Sequence, residues 1–295
     1  MSNSLSYIIP VAVLVYSVAS MLSVGLGTAL RSVLGPLRDV GAVSRALIAN
    51  FVLVPLLALG IVRLVPLDWP LETGLLLLST AAGAPFLVKL TEAAEGRMGT
   101  SAALLVALLP VTVLYMPLAV PVLVPGTTVS AVAIATPLVL TMLLPLVAGL
   151  VFRARLKEWA PRLLPRVQTV STVALLVFVA ATIWRNAATI ADLLSQGTPI
   201  LAGVSAIVSA FVIGYGFGGR QRHRREVLGL GTAQRNVAAS MVVATQSFHD
   251  PRVNAMVVVT SLLTLVVLFP IAFTMRRLRP PAPRDNRPPP GRRPR

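Results

Sequence analysis

Nine runs of mainly apolar residues, at about 8–30, 44–66, 71–92, 100–124, 129–152, 168–189, 199–218, 227–248 and 253–275, dominate the chain. About 20 residues at 1.5 Å each cross the hydrocarbon core of a bilayer, so each run is a candidate transmembrane helix. Together they take up roughly two thirds of the length and leave no room for a soluble domain. Strands of a membrane barrel would alternate polar and apolar residues, and stretches such as Leu75–Leu78 or Val257–Val259 do not. The sequence therefore predicts an all-α polytopic membrane protein, with a nine-span domain over residues 1–275 and a tail over 276–295. Only 12% of the residues are charged and mean hydropathy is +0.82. That is about half the charge that covers a soluble domain.

A net charge of +16 and an isoelectric point near 11.8 would, taken alone, indicate a nucleic-acid partner. The placement of the charges removes that reading. Counted on alternate sides of nine spans, 22 of the 26 Lys and Arg residues fall on one side, among them Arg38, Arg45, Arg97, Arg153, Arg220, Arg224 and eight arginines of the tail. Arg63, Arg185 and Arg252 fall on the other, and Arg235 lies within a span. By the positive-inside rule the N-terminus is outside and the C-terminus cytoplasmic. Residues 1–7 carry no basic residue, so the first span is expected to be retained and not cleaved as a signal peptide. Two lysines against 24 arginines suggest a GC-rich bacterial genome, and hence an inner membrane. The tail, PPAPRDNRPPPGRRPR, has nothing to bury and is expected to be disordered, touching anionic lipid.

Polar residues at membrane depth carry the functional signal, because each costs free energy unless it is satisfied. The third span reads LLLLSTAAGAPFLVKLTEAAEGR. Gly83 and Pro85 lie near its midpoint, where proline removes a backbone hydrogen bond and breaks or kinks the helix. Lys89, Thr91, Glu92 and Glu95 follow, and Lys89 and Glu92 share a helical face. The eighth span reads EVLGLGTAQRNVAASMVVATQSF, with Gly229 and Gly231 expected to loosen its first turns at the break. Gln234, Arg235 and Asn236 then cover about 200° of the helix circumference, so all three cannot face lipid. An arginine at the centre of a span costs roughly 2.5–3.5 kcal/mol on insertion scales. No acidic residue lies within four positions of Arg235 in its own span, so its partner is another helix, water or an anionic ligand.

Other chemistry is poorly provided for. There is no cysteine, no histidine pair with metal-ligand spacing and no Gly-rich loop before Lys-Ser or Lys-Thr, so neither metal, cofactor nor ATP drive is expected. His249 and Asp250 read as residues of a helix end, and His223, within an arginine run, as solvated. Trp69, Trp159 and Trp184 sit at span ends as interfacial anchors. No acid–base or nucleophile pair shares a depth, so the chain is not expected to be an enzyme.

At these residues the sequence resembles the bile acid:sodium symporter family. The resemblance rests on MLSVGLG at 21–27, on LETGLLLLSTAAGAPFLVKLTEAAEGRMGTSAAL at 71–104, similar to the family's first broken helix, and on GTAQRNVAAS at 231–240, similar to its second. It implies a core of inverted repeats in which two discontinuous helices cross, beside a smaller panel, and transport of a small organic solute by alternating access. It also implies sodium sites built from a Ser-Asn pair, a Ser, a Thr, a Glu and a Gln. With register set by Gly96 and Asn236, Leu87 and Val88 stand at the Ser-Asn pair, Ser101 keeps its serine and Leu105 stands at the threonine. Gly231 then stands at the glutamate and Arg235 at the glutamine.

Most of the oxygens a hard cation needs are thus gone, and a fixed positive charge has been gained. The expected substrate site is Arg235, Asn236, Gln234 and Lys89, taking a carboxylate or sulfonate in the guanidinium fork. The crossing is expected at Gly83, Pro85, Gly229 and Gly231. Ser101 and Thr232 are the remnant of an ion site, and Glu92 or Glu95 would carry any proton coupling. The partners expected are the bilayer and a small anionic solute, and nothing in the sequence specifies an oligomer. Three other readings compete: a sodium-coupled symporter of bile-acid-like anions, an arsenite-type efflux permease, which the absence of cysteine weakens, and a non-transporting sensor or scaffold using the basic tail.

Overall fold

The computed structural model describes residues 2–29, 38–124, 130–185, 187–248 and 250–278, which are helical with no strand among them. His249 and the tail from residue 279 onward lie outside the described residues. Seven helices are long and apolar enough to cross a bilayer. They are α1 (Ser2–Gly27), α2 (Val40–Leu64), α5 (Met98–Leu123), α6 (Ala131–Arg155), α7 (Ala160–Arg185), α9 (Thr198–Phe217) and α12 (Pro251–Arg277). The third and eighth runs are different. Each is a pair of short helices, α3 (Trp69–Thr80) with α4 (Leu87–Ala93), and α10 (Arg222–Ala233) with α11 (Val237–Ser247). No one of these four has the length to span alone. A further short helix, α8 (Ala187–Ser195), follows α7.

The sixth run was expected at about 168–189, whereas its helix starts at Ala160 and stops at Arg185. Hydropathy marks the length in hydrocarbon, and the helix continues past it. Its first turns carry Arg162 and Arg166, with the Arg162 guanidinium 5.4 Å from the Trp159 ring centroid. The prolines do not all act alike. Pro110, Pro117 and Pro121 lie inside the continuous α5. Pro55 and Pro145 each follow a π turn, Ala49–Leu53 in α2 and Val139–Leu143 in α6. A π turn accommodates the hydrogen bond that proline lacks without ending the helix.

Helix α1 packs against both α6 and α7, and these three helices stand beside a larger group formed by the rest. The α1–α6 contact is backbone on backbone. A Cβ at Gly25 would lie 2.5 Å from the Leu146 carbonyl oxygen and 2.8 Å from the Gly149 Cα. The Ser17 hydroxyl also donates to Thr141 across this contact at 3.3 Å. Small residues that let backbones approach are the usual means of helix association where lipid removes the hydrophobic drive. In the larger group α11 is buried from Ala238 to Ala244 and touches α1, α6, α3 and α12, so it ties the two groups together. Large apolar side chains left exposed, such as Leu118 and Val122 on α5, Leu176 on α7, Val212 on α9 and Val266 on α12, give this multi-pass membrane protein its lipid-facing surface.

Gly25→Ala forces carbonyl and Cα atoms apart that cannot yield. It is expected to lower the apparent Tm of the detergent-purified protein by about 2–6 °C. Gly216→Ala in α9, where a Cβ would meet nothing within 4 Å, is expected to leave the Tm unchanged or raise it. Equal effects at the two glycines would show that the α1–α6 approach is not a tight contact.

Candidate functional site

The first break is made by backbone chemistry. Residues 81–86 separate α3 from α4, and Gly83 within them has φ +76°, a left-handed conformation that glycine alone adopts without strain. A Cβ there would also lie 3.1 Å from Leu108 Cβ and from the Leu109 amide nitrogen. Pro85, with no N–H to donate, completes the turn into α4.

The second break lies at Gln234–Asn236, and here the structure corrects the sequence-based placement. Gly229 and Gly231 are inside the regular helix α10 and do not form the break. Both are sites of close packing. A Cβ at Gly229 would lie 3.0 Å from the Phe211 ring, and one at Gly231 would lie 2.7 Å from Leu104 Cδ2 and 3.0 Å from Leu87 Cδ2. The helix ends where the polar triplet begins and restarts with Asn236, whose side chain accepts from the Ala239 N–H at 3.2 Å as an N-cap.

The two breaks meet. The Asn236 N–H donates to the Ala81 carbonyl at 2.8 Å, and its Nδ2 donates to the Gly83 carbonyl at 3.1 Å. The Ser240 hydroxyl reaches the Leu77 carbonyl at 3.3 Å, and Thr112 on α5 donates to the Ala82 carbonyl at 2.9 Å. Arg235 supplies the rest. Its Nε donates to the Leu78 carbonyl at 3.0 Å, and one Nη to Asn50 Oδ1 at 2.9 Å and the Thr232 carbonyl at 3.2 Å. The other Nη donates to the carbonyls of Asn50, at 3.4 Å, and Ser79. A guanidinium has five N–H donors, and all five are used. The side chain is only 8% exposed.

Local sequence explains why those oxygens are available. Leu78 and Ser79 are in the last turn of α3, whose carbonyls carry the negative end of the helix dipole. The Leu78 carbonyl accepts one tight-turn bond, from the Ala81 N–H at 3.1 Å, and has a second lone pair for Arg235. The Asn50 carbonyl is freed by the π turn of α2. The Val54 N–H bonds to Ala49, and the next residue, Pro55, has no N–H to offer. Asn50 also fixes Thr232, through an Nδ2 donation to Oγ1 at 3.1 Å.

The sequence-predicted residues divide. Gln234, Arg235, Asn236 and Thr232 come together at the crossing with Gly83. The expectation that the Arg235 fork faces a ligand carboxylate meets a fork whose partners are protein oxygens. Gln234 is the member of the triplet with capacity to spare, since its buried Oε1 has no partner among the described residues. It lines a cavity of about 30 Å³ with Ser79, Arg235, Thr260, Ser261 and Thr264, and the Thr260 hydroxyl is likewise unpartnered. That volume holds a water molecule.

Lys89, Glu92 and Glu95 do not join this group. Lys89 pairs with Glu92 at 3.3 Å with both side chains about two thirds exposed, and Glu95 pairs with Arg276 at 2.8 Å. Ser101, fully buried, donates to its own helix at the Met98 carbonyl. Asp250 caps α12 by accepting from the Arg252 N–H, as a helix-end residue should, while His223 is half-buried in a pocket wall. Asn50, Ser79, Thr112 and Ser240 went unrecognised in the sequence. Asn50 alone carried a visible signal, an amide in an apolar span five residues before a proline.

The sodium bile acid symporter family matches the chain over residues 14–193, which is more than half its length and includes the first broken helix. The chain belongs to the sodium bile acid symporter family. No curated protein matches it. Members of that family are membrane transporters rather than enzymes. The second broken helix of this family member, with Arg235, lies beyond the matched residues.

Arg235→Met would leave the Leu78, Ser79, Thr232 and Asn50 oxygens short of a donor. It is expected to destabilise the protein by about 3 kcal/mol or more. Arg235→Lys, with three donors on a point charge, is expected to fall between it and the wild type. Thermal or denaturant unfolding in detergent ranks the three. A Met variant as stable as the wild type would mean that the crossing does not depend on these bonds.

Proposed function

We propose that the protein moves a small organic anion across the membrane by alternating access, and that Arg235 permanently supplies the positive charge that bound sodium supplies in coupled relatives. The observation that carries this reading is a nearly buried guanidinium surrounded by carbonyl oxygens where two broken helices meet. Oxygens arranged in this way suit a cation, and here the cation is covalently part of the chain. Its charge acts on an anion at the crossing through Coulomb attraction in a medium of low dielectric, without direct contact.

Apolar packing supports the same view. In the register of the resemblance Leu87 and Leu105 stand where coupled relatives carry ion-binding side chains, and both are fully buried. Leu87 and Leu104 methyls fill the space beside Gly231, where the family has a carboxylate. Hydrocarbon in those places binds no hard cation. On this reading Ser101 and Thr232 are remnants of an ion site, and sodium coupling has been lost.

The remaining roles follow from placement. Gln234 and Asn236 are the polar groups beside the charge, and Gln234 retains an open acceptor. Lys89, exposed on α4, would attract an anion toward the crossing, and Glu92 and Glu95 would carry protons if transport is proton-coupled. The group α1, α6 and α7 would be the panel against which the core moves, with nine membrane crossings, inverted repeats, the N-terminus outside and the C-terminus in the cytoplasm.

Uptake of carboxylates and sulfonates, a bile acid among them, into proteoliposomes tests the role of the charge. Arg235→Gln is expected to lower uptake at least tenfold in protein that elutes as a folded species. Uptake equal to wild type would overturn the proposal.

A further inference from the structure

Away from the crossing, at the arginine-rich end of the molecule, α2, α5, α9 and α10 surround a pocket of about 370 Å³. Its wall includes Arg45, Arg97, Arg224 and His223, with Thr100 and Gln221. The first turn of α10 contributes to this wall, and Arg235 lies just past the other end of that helix. The pocket wall runs along α10 as far as Leu228, and Arg235 lies seven residues further on, about 10 Å along the helix axis.

Charge is the first feature. Three arginines line the pocket, and the carboxylate beside them is Asp39, which pairs with Arg224 and caps α2 by accepting from the Ala42 N–H at 3.0 Å. The hydrogen bond from Arg224, followed by that from Ala42, holds the Asp39 carboxyl below the usual carboxylate range, so it stays ionised at neutral pH. Three positive charges against one negative leave the pocket basic.

Unspent donors are the second feature. Arg45 commits its Nε to the Phe217 carbonyl at 3.1 Å, which closes the end of α9, and its two terminal nitrogens have no hydrogen-bond partner among the described residues. The Arg97 side chain has none among them either, and it is exposed to the pocket mouth. The helix ends add a third. Arg97 is the N-cap residue of α5 and Gln221 that of α10, and neither uses its side chain as a cap. The N-terminal ends of both helices thus lie beside the pocket without a side-chain cap, and their dipoles favour negative charge there.

We propose that this pocket is an oxyanion site, taking the carboxylate, sulfonate or phosphate group of a small solute or of a lipid headgroup, with Arg97 and Arg45 as its principal donors. Planar forks and helix N-termini converge on it, the combination that recognises such groups. The site is separate from the crossing and does not depend on how Arg235 serves transport.

Purified full-length protein is titrated with potassium phosphate against potassium chloride at matched ionic strength, with calorimetry and thermal unfolding as readouts. A saturable effect of phosphate is expected. Arg97→Gln and Arg45→Gln should each weaken it about tenfold, the loss of one charge-assisted hydrogen-bonding partner. Arg220→Gln, the same charge loss on an exposed residue outside the pocket wall, should leave it unchanged. In a second arm the protein is placed in phosphatidylcholine nanodiscs with and without phosphatidylglycerol. Stabilisation by phosphatidylglycerol that Arg97→Gln abolishes and Arg220→Gln keeps would assign the oxyanion to a lipid headgroup. The proposal is overturned if neither phosphate nor phosphatidylglycerol has a saturable effect dependent on Arg97, or if Arg220→Gln weakens binding as much as Arg97→Gln.

Discussion

Five N–H groups fan out in one plane from the Arg235 guanidinium, and all five end on oxygens of α2, α3 and α10. The arrangement of the larger helix group depends on that fan. Breaking a helix inside a membrane frees backbone carbonyls that no water is at hand to satisfy. In this protein the freed carbonyls of one break are bonded by the side chains of the other, with Asn236 and Ser240 from α11 and Thr112 from α5 completing the set. Neither break would be stable without its partner. The charge and the backbone thus solve each other's problem: the arginine would be costly in hydrocarbon, and the carbonyls would be costly unbonded.

A tethered cation differs from a bound one in a way that matters for transport. A bound sodium ion leaves with each cycle and can carry the energy of its gradient. A guanidinium stays, so it can hold the crossing together and draw an anion toward it, and it contributes nothing to driving force. On the proposed reading the leucines beside Gly231 belong to the same arrangement, since a site without an exchangeable ion would need no oxygens there. Movement between the α1–α6–α7 group and the rest would then carry the crossing as a rigid unit, with α11 and α5 both in contact with that group.

Much of the fold was legible because hydropathy reports lipid contact directly, and seven continuous helices long enough to span overlap the apolar runs, the sixth displaced toward the N-terminus. The first break was legible too, since Gly83 and Pro85 have strong backbone preferences of their own. The second was misplaced onto Gly229 and Gly231, for glycine in a membrane helix serves close packing as readily as flexibility, and the sequence does not say which. Asn50 went unseen for a related reason. Its importance comes from a π turn and from Pro55, whose effect is to release a carbonyl toward Arg235, 185 residues away. The polar triplet was found as a whole, yet its members' bonding could not be apportioned until the facing carbonyls were placed.

The central claim is that the charge at the crossing is supplied by the chain and not by sodium. The most direct measurement is uptake by wild-type proteoliposomes when sodium is replaced by potassium at constant ionic strength and membrane potential, with titration of sodium from zero. The account predicts initial rates within twofold across the titration. A saturable rise with sodium from a negligible rate in potassium would contradict it.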